Sequence, residues 1–517
     1  MTRAAAAAAL AAAFLAAFSL GGRSARADET CSDSLHLKDG RFVDGIPIER
    51  ADGGLRLKYP SGDVFVPSAL VADYVATSAA GDVEARDEEE RAKLEKGLVP
   101  FEGKWVPKAR RDAAIKERTE QKRKQLEELK SHREWRNRYK KETKHFAFEH
   151  TIPPEIAQSY MDLLETYYDV FTKKWNIRPG PKTGKLPVCI YSDRKAFNRV
   201  SGAPYGVIGY FKFVDPKELD LYYDRLDERL TIDVLFHEGN HYLTHLIDPK
   251  FNYPAWVNES LAEYYGASQW DSAKREMSVG HIQEGRLVVI WDAIAGEEWL
   301  GLEEMIRIDR FSAIHYAWGW SFVHFLMETP AYASKFQKFY IGLAKDKGIK
   351  RVPWAWDMVE VPPDEQIKAL RSYLGVKDLK ALEKEWHDYI RNTLKIEGGR
   401  GFEKAGDWAR TNGLEIKAKR FYEKAIELGS TNPLTHHNFG RMLIDKHEEI
   451  DRGIGLVRKA VELDPLNARF YATLAQGLKR KGGEENEKEA ERLKQLAVEI
   501  DPDDYSLQLD IEDVFKD

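Results

Sequence analysis

Apolar and polar positions divide the chain into stretches of different period. Between residues 35 and 75, short apolar/polar alternations are broken by Asp39-Gly40, Asp52-Gly53-Gly54 and Ser61-Gly62-Asp63. Period-two alternation with such turn pairs predicts hairpins, hence a small antiparallel β domain or barrel over 28–80. The stretch carries no cluster of chemistry-bearing side chains, and a packing or binding module is the expectation. Residues 83–145 are polar all round and rich in strong helix formers, as in RRDAAIKERTEQKRKQLEELKSHREW, interrupted by GLVPFEGKWVPKA. A charged helical linker over 81–145 follows.

From about residue 146 the pattern alternates between periods. PPEIAQSYMDLLETYYDVFTKKW has helical spacing behind Pro153-Pro154, and KLPVCIYSD is a buried strand with a helix starting at Arg194. GVIGYFKFVDPKELDLYYD gives two strands joined at Asp215-Pro216, followed by a helix from about Thr231 to Asp248-Pro249. A new helix restarts near Pro254 and closes at Gly266. Near the C-terminus, YEKAIELGSTNP, VRKAVELDPLN and KQLAVEIDPDD repeat one pattern, with Ala425, Ala460 and Ala497 spaced 35 and 37 apart. A period near 34 with a proline after each second helix resembles about three tetratricopeptide-like hairpins over 400–517. Trp408, Gly413 and Leu414 fit the first helix of the first unit. Such repeats imply a protein partner.

The first thirty residues change the expected compartment. Arg3, the apolar run Ala4–Leu20 and Ala25-Arg26-Ala27 follow the layout of a secretory signal peptide over 1–27. The mature chain is expected to be exported, periplasmic or extracellular, with no stable membrane span after cleavage. Cys31 and Cys189 are the only cysteines. Export permits a disulfide between them, and their spacing does not decide it. The formal charge of −6 is too small a field to point to nucleic acid, and none is expected as a partner. At 517 residues the chain exceeds one core and predicts several domains.

The chemistry gathers in HEGNHYLTH at 237–245. His237-Glu238-x-x-His241 is the HExxH pattern. Residues four apart share one helix face, so two imidazoles can grip one ion while Glu238 reaches a water on its open side. Zinc needs a third protein ligand. His241 lies seven residues before the helix break and Glu259 five after the restart. At 1.5 Å per residue these are roughly 10 Å and 8 Å from the turn, so helices folded back on each other bring Glu259 level with His241 and Glu263 level with His237. His245, one turn beyond His241, is a competing ligand whose angle diverges from the pair. Gly239 lowers helix propensity by about 1 kcal/mol relative to alanine, which a close-packed neighbour can offset.

HEGNH…PAWVNESLAEYYG resembles the gluzincin metallopeptidases, specifically the peptidase-MA-like domains of exported proteins followed by helical repeats. The resemblance covers roughly 146–395. It implies a zincin-like domain, with His237, His241 and Glu259 as zinc ligands, Glu263 orienting a ligand imidazole, and Glu238 as general base. Tyr316, in the Tyr316-x-x-Gly319 setting, is implied as the oxyanion donor, with His315 as backup and His324 structural. The seventeen residues between His241 and Glu259 are slightly fewer than in the thermolysin-like and aminopeptidase-like branches. The strand around Gly206–Asp215 lacks the amine-binding acid of the aminopeptidases, so an N-terminal exopeptidase is not implied. The expected fold class is α+β: a metallopeptidase domain with a small N-terminal β domain, a charged helical linker and a C-terminal all-α repeat domain. The expected function is zinc-dependent hydrolysis of a peptide or protein substrate. The alternative is a non-catalytic protein-binding scaffold built on an inactive peptidase fold. A non-peptide amide remains open as substrate.

Overall fold

A computed structural model describes residues 33–511, apart from short breaks at 39–40, 77–84, 86, 102–103, 133, 181–182, 205–206, 225–227, 397, 448, 503, 505–506 and 509–510. The expected signal segment and Cys31 lie outside the described residues. Among the described residues no helix is long and apolar enough to cross a membrane. The chain is mixed α+β, with small sheets near the N-terminus and a helical C-terminal region. It forms two compact units: residues up to Glu127 together with Asn432 onward, and Glu128–Thr431.

In the first unit, residues 34–75 form two three-stranded antiparallel sheets. The strands Phe42–Asp44, Ser34–Leu37 and Val71–Val75 make one, and Ile48–Ala51, Gly54–Tyr59 and Gly62–Pro67 the other. Their inward positions, including Leu35, Leu57 and Val66, share one apolar core with Leu474, Leu493 and Leu496 of the last helices. The β module is therefore a packing partner of the helical hairpins. The stretch expected as a helical linker is interrupted. Leu98–Phe101 pairs with Lys104–Pro107 in a hairpin between the helices Glu88–Glu95 and Lys108–Ser131. Val99 supplies a buried inward position that the charged surroundings conceal.

The helical hairpins fall where the repeat predicts them: Arg400–Thr411 with Glu415–Glu427, Pro433–Lys446 with Ile450–Leu463, and Ala468–Lys481 with Glu484–Ile500. The register alanines 425, 460 and 497 are fully buried, because only a small side chain fits where the paired helices meet. The first hairpin belongs to the second unit and the other two to the first.

The second unit is built on a five-stranded sheet. Its strand order is Gly209–Lys212, Glu218–Tyr222, Leu186–Tyr191, Phe146–His150, Tyr139–Glu142. The three inner strands run parallel, and the outermost strand at each edge is antiparallel to its neighbour. The long helix Pro154–Trp175 buries Leu164, Tyr167 and Phe171 against the helix Glu228–His245. Tyr167 packs edge-on to Phe236 at 5.3 Å between centroids, and its hydroxyl accepts from Asn240 Nδ2 at 2.9 Å. Each fully buried Leu or Phe along this contact contributes about 1.5–3 kcal/mol. Gly239 lets the two helices close: a Cβ there would stand 3.2 Å from Leu164 Cδ2.

Candidate metal centre

The motif helix Glu228–His245 has two kinds of position. Leu235, Phe236, Gly239, Asn240, Tyr242 and Leu243 are buried in the core. His237, Glu238 and His241 lie on the half-buried remainder. The helix stops at His245. After a connector, Pro254 presets the next start, and its carbonyl accepts from Val257 N and Asn258 N. The facing helix Ala255–Gly266 then runs back past the motif helix.

This return brings three predicted ligands together. One donor atom from each of His237, His241 and Glu259 lies within 4.8 Å of the others. Glu259 Oε2 is 3.5 Å from His237 Nε2 and 3.6 Å from His241 Nε2. Ligands about 2.05 Å from a tetrahedral zinc stand roughly 3.4 Å apart, so these spacings fit a zinc-sized cation with a fourth position left for water. The charge pattern fits too. Burial alone would raise the Glu259 carboxyl, but the His241 and His237 imidazoles hold it well below the usual carboxylate range. Burial alone would lower His237, but Glu259 and Glu263 raise its proton affinity well above normal. A site that attracts protons this way attracts a cation in their place.

Glu263 is where the helix spacing puts it, one turn beyond Glu259. Its Oε1 lies 3.5 Å from His237 Nδ1, which leaves Nε2 facing Glu259 and available to a cation. Arg286, from the helix Glu284–Ala295, grips the same carboxylate from the other side. Its Nε donates to Oε2 at 2.9 Å and its Nη2 to Oε1 at 2.8 Å. Burial opposes ionisation of Glu263, yet Arg286 and His237 hold it at about 2. The guanidinium also stacks over Tyr316 at 5.6 Å and Trp408 at 5.5 Å. Sequence reasoning missed Arg286: it lies 23 positions past Glu263 and only the fold brings it back. It read Trp408 as a repeat residue, and the first helical hairpin carries that ring to the arginine. His241 has no comparable support, since among the described residues its buried Nδ1 has no hydrogen-bond partner.

Glu238 lies beside the ligands. Burial raises its pKa, and its Oε2 accepts from the backbone N–H of Phe211 at 3.0 Å. Phe211 sits on the edge strand Gly209–Lys212. Tyr316 lies in the first turn of the helix Ala313–Glu328, its ring 6.3 Å from that of His237. Burial and then the charges of Glu259, Glu263 and Glu238 push its hydroxyl pKa up. Gly319 allows this helix to approach the facing helix, since a Cβ there would collide with Ser260 Oγ.

The remaining histidines sort by contact. His315 Nδ1 accepts from the Ser312 backbone N–H at 3.0 Å and caps its helix. His324 is held between the Tyr389 hydroxyl and the Gly280 carbonyl, as expected of a structural residue. His245 packs near Phe211, 6.0 Å between centroids. Burial lowers its pKa to about 4, and it does not join the ligand trio.

No known family model matches the chain, and no curated protein matches it. Among solved structures, one similar chain is that described as "Crystal structure of YrrB: a TPR protein with an unusual peptide-binding site". It is 16% identical, and the match covers 38% of this chain and 82% of YrrB at a TM-score of 0.23. That score is too low for a shared overall arrangement.

Proposed function

We propose that the chain is an exported zinc-dependent metallopeptidase of gluzincin type, with tetratricopeptide-like hairpins that engage a protein partner. The observation carrying this reading is the convergence of His237, His241 and Glu259 on one point, with ligand spacings of 3.5 and 3.6 Å around Glu259. Zinc bound by these three residues would supply a Lewis acid and a water acidified towards neutrality.

The chain's own residues supply the rest. Glu238 is a half-buried carboxylate of raised proton affinity, suited to take a proton from water and deliver it to a leaving amine. The Phe211 N–H fixes its orientation. Glu263, clamped by Arg286, orients His237. Tyr316 is the hydrogen-bond donor for a developing oxyanion.

The second reading is a protein-binding scaffold. The three helical hairpins favour it, because such hairpins present extended surfaces to other proteins. One experiment separates the two. Purified protein is analysed for metal, then wild type and Glu238→Gln are incubated with a mixed peptide library. The metallopeptidase reading expects about one zinc per chain and cleavage reduced at least ~100-fold in the variant. Equal cleavage by the variant rejects Glu238 as base. Metal-loaded wild type that cuts nothing favours the scaffold.

A further inference from the structure

An exposed aromatic cluster borders the candidate site and takes no part in the metal chemistry. Phe213 follows the edge strand by one residue. Its ring lies 5.9 Å from Trp354 and 6.2 Å from Trp356, and the two tryptophans are 6.4 Å apart. Their exposures are 38%, 40% and 77%. Trp356 also sits at φ +50°, in the left-handed region, where a non-glycine residue is disfavoured. A strained, solvent-facing tryptophan adds nothing to the core.

The cluster is firmly mounted. The tryptophans sit between the short strands Val352–Pro353 and Val359–Glu360, which pair with each other. Val359 N donates to the Lys250 carbonyl at 2.9 Å, and Asn252 N donates to the Val359 carbonyl at 2.8 Å. Lys250 and Asn252 belong to the connector between the motif helix and the facing helix. The connector that turns the chain between His241 and Glu259 thus also anchors the aromatic hairpin.

The edge strand links the cluster to the base. Its inner side pairs with Glu218–Tyr222, and among the described residues no strand pairs with its outer side. Phe211 points its N–H outward to Glu238. Alternation along the strand places the backbone of 209 and 211 on that edge, where the Phe211 N–H is already held by Glu238 and the carbonyls of 209 and 211 face the same side. An unpaired edge is complementary to the main chain of an extended peptide, which can add as a further strand. At about 3.3 Å per residue, Phe213 is roughly 7 Å beyond Phe211.

We propose that Phe213, Trp354 and Trp356 form a specificity subsite for an apolar or aromatic side chain of an extended peptide laid along the edge strand. That side chain sits about two residues from the bond facing Glu238. The position of the bond rests on the metallopeptidase reading; docking of the peptide does not. An open strand edge selects a polyamide over a sugar, although a sugar ring could also stack on such a platform.

Two measurements test this on the full chain. In the first, zinc-loaded wild type, Trp354→Ala/Trp356→Ala and Phe213→Ala digest a pooled peptide library, and the cut sites are read by mass spectrometry. In the second, fluorescence anisotropy follows binding of a labelled octapeptide with one central Phe, its Phe→Ser counterpart and a maltooligosaccharide. The expected results are enrichment of Phe, Tyr or Leu two residues from the cut, and a roughly 10- to 100-fold preference for the Phe peptide. Both should disappear in the double variant and persist in Trp356→Phe. Cleavage by wild type with no preference at that position overturns the proposal. So does equal binding of the Phe and Ser peptides, or no binding of either. Binding of the sugar alone overturns the choice of ligand. If wild type cuts nothing but the Phe preference in binding vanishes in the double variant, hydrolysis fails and the subsite stands.

Discussion

Replacing Arg286 by leucine removes both hydrogen bonds to Glu263 and leaves its carboxylate 7% exposed beside His237. Breaking one side of a buried ion pair costs about 3–5 kcal/mol. Arg286 is itself 17% exposed, so a value at the lower end, about 3 kcal/mol, is expected. Glu263 then gains proton affinity and holds His237 less firmly. Loss of such an outer partner lowers metal affinity roughly 10- to 100-fold. Urea unfolding of the metal-free protein measures the first effect, and competition with a chromophoric zinc chelator measures the second. The double variant Arg286→Leu/Glu263→Gln should recover ~1 kcal/mol or more of stability, because no buried charge is stranded, while zinc affinity stays weak. A single variant that unfolds within about 0.5 kcal/mol of wild type and binds zinc as tightly would refute the clamp.

Other sites give independent checks. Gly319→Ala drives a methyl group into Ser260 Oγ, and despite the better helix propensity of alanine it should destabilise the protein by about 1–3 kcal/mol in thermal unfolding. Asp220, buried beneath the Tyr191 hydroxyl, has its pKa raised to about 7, by burial first and then by the hydrogen bond and charge of neighbouring Glu218. A carboxyl raised in the folded state adds stability that is complete below the unfolded value of about 4 and lost as pH climbs through 7. Wild type should therefore lose on the order of 2 kcal/mol relative to Asp220→Asn between pH 5 and pH 8; identical pH profiles in urea would rule this out. Added zinc should raise the melting temperature of wild type and leave Glu259→Gln unmoved, since only a ligand that binds the folded state shifts the transition.

The parts legible in the sequence are those written by local spacing. The four-residue offset of His237 and His241 and the proline restart at 254 led to Glu259 opposite the pair and Glu263 level with His237. Alanines near the repeat period marked each second helix of the hairpins, and they are the buried contact points. The missed parts depend on long-range pairing. Nothing near Arg286 signals that it meets Glu263, and nothing near Phe213 announces Trp354 and Trp356. The β module shares its core with the last helices because sheet and hairpins each carry an apolar face, and periodicity does not say which face meets which. Val99 and Trp105 are too few among charged neighbours to reveal their hairpin.

The convergence of two imidazoles and one carboxylate is tested most directly by a crystal of zinc-loaded protein, with diffraction data collected on both sides of the zinc absorption edge. The account predicts one anomalous peak about 2.0–2.2 Å from nitrogens of residues 237 and 241 and an oxygen of residue 259. A peak elsewhere, or none with zinc in excess, would contradict it.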